Sequence, residues 1–351
     1  MRIAIVGATG NIGTALLRRF KRAATEYDGG VDLVGIARRL PDDSVKPYDG
    51  VTWVGHDVAS GAHEDLVEAL KGCDVVVHLA WVLQPNRDEA AMRRTNVDGT
   101  AHVLAAAAGA GVSHVVCASS LGAYSAGPKD RLVDESWPTG GIASSHYSRF
   151  KAEQEALLDD FAAEHPGITV SRVRQALSFQ PDAGSQIARY FIGWLPTPSI
   201  HRLRIPLLPF PAEFIFQAVH ADDLADAYWR VIDQRAAGAF NIAAEPVLGP
   251  HAVATLVGAK RWLPVPVPLV RALVQVGWKL RLVALDPGWI DMARGTPPMD
   301  TTRARTELGW SPKVDALSAI RELLEGMGTG RSIDASPSMG PGEKRGSRHD
   351  R

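Results

Sequence analysis

The sequence predicts a doubly wound α/β fold, a parallel sheet covered by helices on both faces, followed by a smaller C-terminal substrate-binding region. Three observations predict it. Short apolar runs without polar alternation recur through the first half, helical patterns separate them, and a glycine-rich turn joins the first run to the first helix. Strands buried on both faces read as continuous apolar runs, and the helices between them supply the crossovers that parallel pairing needs.

The strand candidates are 2–6, 32–37, 52–54, 75–79, 115–118 and 169–173, with helical patterns at 12–21, 63–70, 92–108 and 147–164. These place one unit over 1–174. From 175 to 327 the rhythm changes. Prolines become dense (Pro196, Pro198, Pro206, Pro209, Pro211) and aromatics gather (Tyr190, Phe191, Trp194, Phe210, Phe214, Phe216), as in a region that covers a substrate and returns some segments to the sheet. Residues 328–351 are rich in Gly, Ser, Pro and charge, a composition that predicts a disordered tail.

A net charge of −1 offers no global field for nucleic acid or an anionic membrane. The two cysteines, Cys73 and Cys117, lie in apolar runs and are not in metal-ligand spacing, so buried thiols in a reducing cytoplasm are expected, and no metal. The chain opens directly on a strand pattern, so no signal peptide is expected. Trp262 to Leu285 is apolar, but it carries Arg271, Lys279 and Arg281 and starts with prolines. It is expected to form an amphipathic helix packed on the protein rather than a membrane span.

Gly7, Ala8, Thr9, Gly10, Asn11, Ile12 and Gly13 follow the first strand and open a helix. Such glycines permit a tight turn and let the backbone approach a pyrophosphate, which then sits on the helix N-terminus, where free N–H groups favour negative charge. The second strand ends Ala37-Arg38-Arg39, where an NAD enzyme normally places a carboxylate for the ribose 2′-hydroxyl. A guanidinium at Arg38 suits a 2′-phosphate, so NADP is favoured over NAD. Asp57, after the third strand, could accept from the adenine amino group or cap the next helix.

Tyr147 and Lys151 are four residues apart on a helix that Ser144 or Ser145 could cap. They share one face, and a nearby ammonium favours the phenolate of a tyrosine. The preceding strand ends Ala118-Ser119-Ser120 at the carboxyl edge, where ligands bind. A serine there can hydrogen-bond a substrate oxygen on which charge develops, while the other serine caps the loop.

Taken together these motifs resemble the extended short-chain dehydrogenase/reductase family, the epimerase/dehydratase group. The resemblance rests on the glycine loop at 7–13, His78-Leu79-Ala80, Asn96-Val97-Asp98-Gly99-Thr100, Ser119 to Tyr124, Tyr147 with Lys151, Val219 to Ala225, Phe240 to Ala243 and Glu307 to Pro312. It implies that Ser120, Tyr147 and Lys151 are catalytic, and that Lys151 holds the nicotinamide ribose and lowers the tyrosine pKa. Asn96 would support the central helix. The cofactor would be lined by Gly7, Thr9, Gly10, Asn11, Ile12, Gly13, Arg38, Asp57, Val58, Leu79, Ala80 and Asn96.

Two departures bear on the substrate. Dehydratases of the group carry an Asp-Glu pair where this chain has Leu121-Gly122. Many sugar-nucleotide enzymes hold the diphosphate with an asparagine after the sixth strand, where this chain reads Arg174 to Phe179, although Arg189, Arg202 and Arg204 could act as a clamp. The expected function is NAD(P)-dependent hydride transfer to or from a ketone or alcohol carbon of a modest, partly apolar small molecule, by a possible homodimer. A sugar-nucleotide epimerase is the alternative, and a non-catalytic dinucleotide-sensing regulator the third reading.

Overall fold

The computed structural model describes residues 1–26, 30–84, 87–191 and 206–340. Trp194, Pro196, Pro198, Arg202 and Arg204, singled out in the sequence, lie outside the described residues.

Arg2–Val6 forms β1, apolar and almost wholly buried. Through Gly10 it feeds α1 (Asn11–Ala24), which lays Leu16, Leu17, Phe20 and Ala23 inward at helical spacing. β2 (Asp32–Ala37), β3 (Thr52–Gly55), α2 (His63–Leu70) and β4 (Val75–His78) follow. The pattern over 92–108 predicts one helix; the structure breaks it into α3 (Glu89–Arg93), a π turn (Arg94–Asp98) and α4 (Gly99–Gly109). The turn brings Asn96 inward, where Oδ1 accepts from Val82 N–H at 2.8 Å and Nδ2 donates to the Val82 carbonyl at 2.9 Å. Such single-turn π insertions are frequent at functional sites.

β5 (His114–Ser120), α5 (His146–Glu164) and β6 (Thr169–Gln175) come next. The chain continues through β7 (Leu177–Phe179), α6 (Gly184–Phe191), β8 (Leu207–Phe210), β9 (Phe216–His220), α7 (Ala221–Asp233) and β10 (Gly238–Ile242). It then forms β11 (Ala244–Leu248), α8 (Pro250–Leu256), β12 (Arg261–Pro264), α9 (Val267–Lys279), α10 (Gly288–Gly295), α11 (Thr302–Glu307) and α12 (Ala316–Thr329).

The main sheet is seven-stranded and parallel, in the order β10-β6-β5-β4-β1-β2-β3. Late in the chain, β10 returns to its edge. One face is packed by residues of α1 and α7 with Trp310, the other by residues of α2, α4 and α5. This is the expected doubly wound, Rossmann-type sheet. It directs the ends of β1, β4 and β5 to one edge, where ligands of such sheets bind.

Motifs far apart in sequence meet. The Asp223 carboxylate accepts the N–H groups of Lys313 and Val314, and its carbonyl takes the Trp310 indole N–H, so segments 219–225 and 307–312 form one joint. Tyr124 and Asn241 bond at 2.6 Å.

Two expectations are corrected. Residues 328–340 do not hang free: Ser336 and Met339 are fully buried against the first turn of the chain. Composition misled because this segment has little apolar surface but many hydroxyl and carbonyl groups that find partners. The helix within 262–285 forms, yet only part of it packs. Val267 is buried and Arg271 pairs with Asp291 of α10, while Leu269, Leu273 and Val276 face solvent. No described helix is long and apolar enough to cross a membrane.

Glu155, fully buried, links three elements of the site. It accepts from Ser119 on β5 at 2.5 Å and from Arg174 Nε and Nη2 on β6 at 2.9 Å, with Arg172 Nη1 at 3.3 Å. Burial pushes its pKa up, but the bonds and charge of Arg174 outweigh that and hold it below the usual value. Glu155→Leu leaves buried guanidinium charge uncompensated and is expected to cost roughly 3–5 kcal/mol of unfolding free energy, measured by urea denaturation.

Candidate active site

The phosphate loop leaves β1 at Gly7, whose φ of 94° is left-handed and whose missing Cβ leaves room for the backbone of Ala80: a Cβ would come within 2.8 Å of the Ala80 nitrogen. This brings the loop after β4 against the loop after β1. A Cβ at Gly10 would meet only the Gly7 carbonyl, at 3.5 Å, so the space above α1 is open on that side. Gly10 caps α1 with no side-chain bond, and no acidic residue stands in its first turn. The first N–H groups of the helix, at Asn11, Ile12 and Gly13, thus have no side-chain cap. Asn11 Nδ2 donates to the Ser178 carbonyl at 3.0 Å, and Gln180 donates back to Asn11, so this turn is braced by the segment after β6.

The C-terminal segment also reaches the loop. Ser336 Oγ donates to the Thr9 carbonyl at 2.7 Å, Thr9 Oγ1 meets Ser338 Oγ at 3.2 Å, and Thr14 Oγ1 donates to Met339 Sδ at 3.4 Å. Arg39 Nη2 donates to the Pro337 carbonyl at 2.9 Å, whereas Arg38 is exposed. The Asp57 carboxylate accepts from Ala59 N–H at 3.0 Å within the turn after β3 and does not cap α2, whose N-cap position is Ala62. Val58 is buried beside α4. Leu79 N–H donates to the Val6 carbonyl at 2.8 Å. Asn96, expected at the cofactor, spends its amide on Val82 and so shapes the loop that contains Leu79 and Ala80.

Ser145 caps α5, and the helix presents Tyr147, Lys151, Gln154 and Glu155 to the sheet, spaced by four, three and one. Ser120 lies beside Tyr147 and draws its pKa down against the effect of burial, and the Ser120 Oγ accepts Gly122 N–H at 3.0 Å. Ser119 is turned the other way, onto Glu155. The Tyr147 ring lies between two indoles, with centroids 5.9 Å from Trp81 and 5.1 Å from Trp289 of α10. A Cβ at position 122 would come within 2.8 Å of the Tyr147 ring, so the place where dehydratases carry an acid is held by a glycine that the ring requires.

Lys151 donates to the Ala118 carbonyl at 2.7 Å and to Gln154 Oε1 at 2.9 Å, and its ammonium lies 3.5 Å from the Trp81 ring centre. Burial pulls its pKa down to about 7, against Cys117 and Glu155, which raise it. The resemblance expects Lys151 to lower the pKa of Tyr147. Here burial raises the phenol, with Ser120 opposing it, and the ammonium is directed at Ala118, Gln154 and Trp81.

The amide of Gln154 passes on to Thr100 Oγ1 at 3.2 Å, which also meets His78 Nε2 at 2.9 Å and donates to the Asn96 carbonyl. Burial, then Lys151, drives His78 down to about 3, so it is neutral. Thr100 ends the motif at 96–100, whereas Trp81, Gln154 and Trp289 were not singled out in the sequence. Of these only Trp81 carried a local signal, since it directly follows His78-Leu79-Ala80. Of the three arginines that could clamp a diphosphate, Arg189 donates to the carbonyls of Ser338 and Gly340, and the other two lie outside the described residues.

Comparison with known proteins adds three likenesses. An uncharacterised protein of Mycobacterium tuberculosis is 26% identical over 329 residues, which are 92% of this chain but 30% of that protein, so the chain spans about a third of the relative's length. A 4-hydroxy-2-methyl-3-oxo-4-farnesyl-3,4-dihydroquinoline-1-oxide ketoreductase of Stigmatella aurantiaca is 30% identical over 174 residues, half of this chain (50%) and 49% of that one. Among solved structures, a dTDP-glucose 4,6-dehydratase of Streptomyces venezuelae with NAD bound shares the fold at a TM-score of 0.69 and 19% identity, over 94% of this chain and 98% of its own. Residues 3–243 match the NAD dependent epimerase/dehydratase family, and with its phosphate loop, its parallel sheet and the Ser120, Tyr147 and Lys151 cluster the chain belongs to that family.

Proposed function

We propose that the protein is an NADP-dependent oxidoreductase that interconverts a ketone and an alcohol on a modest, partly apolar small molecule. The observation that carries this is Tyr147 set beside Ser120 at the carboxyl end of β5, with the indoles of Trp81 and Trp289 packed on its ring. The chain fits a dinucleotide: the open side of Gly10 and the uncapped start of α1 suit a pyrophosphate, and exposed Arg38 suits a 2′-phosphate.

When bound, the cofactor supplies or accepts the hydride. Ser120 would donate to the substrate oxygen and hold it beside Tyr147. In the reducing direction the Tyr147 hydroxyl delivers its proton to that oxygen as the carbonyl carbon becomes an alcohol carbon; in the oxidising direction the phenolate takes it back. Lys151 would hold the nicotinamide ribose, at the cost of one of its present contacts. The indole walls favour a flat apolar ketone over a sugar, and the ketoreductase relative acts, by its name, on such a ring system. Arg189 is engaged by the C-terminal segment, which weakens the sugar-nucleotide reading.

Tyr147→Phe should retain dinucleotide affinity while steady-state turnover of a ketone panel falls by about 10²–10⁴; unimpaired turnover would refute the assignment. Arg38→Ala should weaken NADPH roughly tenfold, about 1.4 kcal/mol, and leave NADH nearly unchanged, read by fluorescence titration. Equal losses would overturn the 2′-phosphate role.

Lys151 also sets a pH dependence of stability. Its folded pKa of about 7 lies below the usual 10.5, so between these values the unfolded chain binds a proton that the folded chain has released, and stability rises with pH. Below that window both states are protonated and the burial penalty is present in full. Lys151→Met removes the penalty, so its stability relative to the parent should be greatest near neutral pH and shrink as pH rises toward 10.5, followed by thermal unfolding across that range.

A further inference from the structure

The side of α9 turned away from α10 is apolar and exposed. Leu269 is 53% accessible, Leu273 65%, Val276 55% and Leu280 63%, and Leu282 (54%) and Val283 (36%) continue the surface beyond the helix. The first four are spaced by four, three and four residues, which puts them on one stripe. An exposed contiguous apolar surface of this kind marks an interaction site. The opposite side is occupied: Val267 is buried, Arg271 pairs with Asp291 at 2.8 Å, and the Arg87 guanidinium lies over the Trp278 ring at 3.6 Å.

Charge identifies the occupant. From position 246 to 285 the chain has no aspartate or glutamate, while it carries Lys260, Arg261, Arg271, Lys279 and Arg281. Lys260, Arg261, Lys279 and Arg281 are exposed. On the packed side Asp291 and Asp286 are turned inward, Asp291 onto Arg271 and Asp286 onto Gly288 N–H and His146. A second copy of this face would bring two basic surfaces together with no acid to neutralise either. An anionic lipid surface supplies both what the leucines need and what the cations need.

We propose that α9 and the turn after it dock the protein peripherally on an anionic membrane, with Leu269, Leu273, Val276 and Leu280 entering the interface and Lys279 and Arg281 among the headgroups. Its helix lies in the membrane plane and does not span. Because α9 packs on α10 and Trp289 of α10 lies against Tyr147, the docking face stands one helix away from the candidate active site.

Flotation of the full chain with phosphatidylcholine vesicles, with and without phosphatidylglycerol, tests this. Binding is expected to the anionic vesicles and to fall as salt is raised, since screening acts on the Lys279 and Arg281 contribution. Leu273→Glu, at an exposed position, should keep the parent melting temperature and dinucleotide affinity while lowering vesicle partitioning at least tenfold; Lys279→Ala with Arg281→Ala should lower it and flatten the salt dependence. No binding to anionic vesicles, or equal binding by the parent and Leu273→Glu, overturns the proposal. So does light scattering that shows a dimer converted to a monomer by Leu273→Glu, because the occupant is then a second copy.

Discussion

The buried carboxylate of Glu155 is the constraint on which the site depends. A charge with no access to water must be paired, and Arg174 and Arg172 on β6 pair it while Ser119 on β5 donates to it. α5 is thereby fixed in rotation against two adjacent strands. Tyr147, Lys151 and Gln154 project from the same side of that helix, so the register that satisfies Glu155 also sets the phenol beside Ser120 and the ammonium beneath Trp81. Arg174 extends the tie to the Glu135 carbonyl and Tyr124, and Tyr124 to Asn241 on the edge strand β10.

A second set of ties holds the cofactor side. Asn96 on its π turn pins Val82, Thr100 joins Asn96 to His78 and Gln154, and Gln154 reaches Lys151. The lysine is thus connected through buried polar groups to the loop that closes on Gly7. Each member is short of solvent, and each finds a partner in the next, which is the condition under which a buried polar network specifies one arrangement. The segment 332–340 adds an outer brace, bonding Thr9, Thr14, Arg39 and Arg189. It sits on the loop that would carry the phosphates, so chain outside the sheet helps to shape the phosphate turn.

Much of this was legible in the sequence where the physics is local. Apolar runs of strand length, the glycines at 7, 10 and 13 between a strand and a helix, and the four-residue spacing of Tyr147 and Lys151 each have a short-range cause. The helix at 92–108 shows where local reading stops. Its pattern reads as one helix, whereas the π turn carries Asn96 inward to pair with the backbone of Val82, 14 residues earlier in the loop after β4. Composition likewise misjudged 328–340, because Ser336, Ser338 and Met339 find partners at Thr9, Thr14 and Arg189, at least 149 residues away.

The sequence by itself therefore determined the parallel sheet, the glycine turn between β1 and α1 and the shared helix of Tyr147 and Lys151, since hydrophobic periodicity, glycine geometry and helical spacing act within a few residues. Only the tertiary structure decided what those groups feel. It raised the phenol through burial instead of lowering it through Lys151, aimed the ammonium at Trp81 and Gln154, gave Ser119 to Glu155 and left Ser120 to Tyr147. Desolvation and hydrogen-bond pairing depend on which distant side chains close over a group, and that is fixed only when the helices and the sheet have packed.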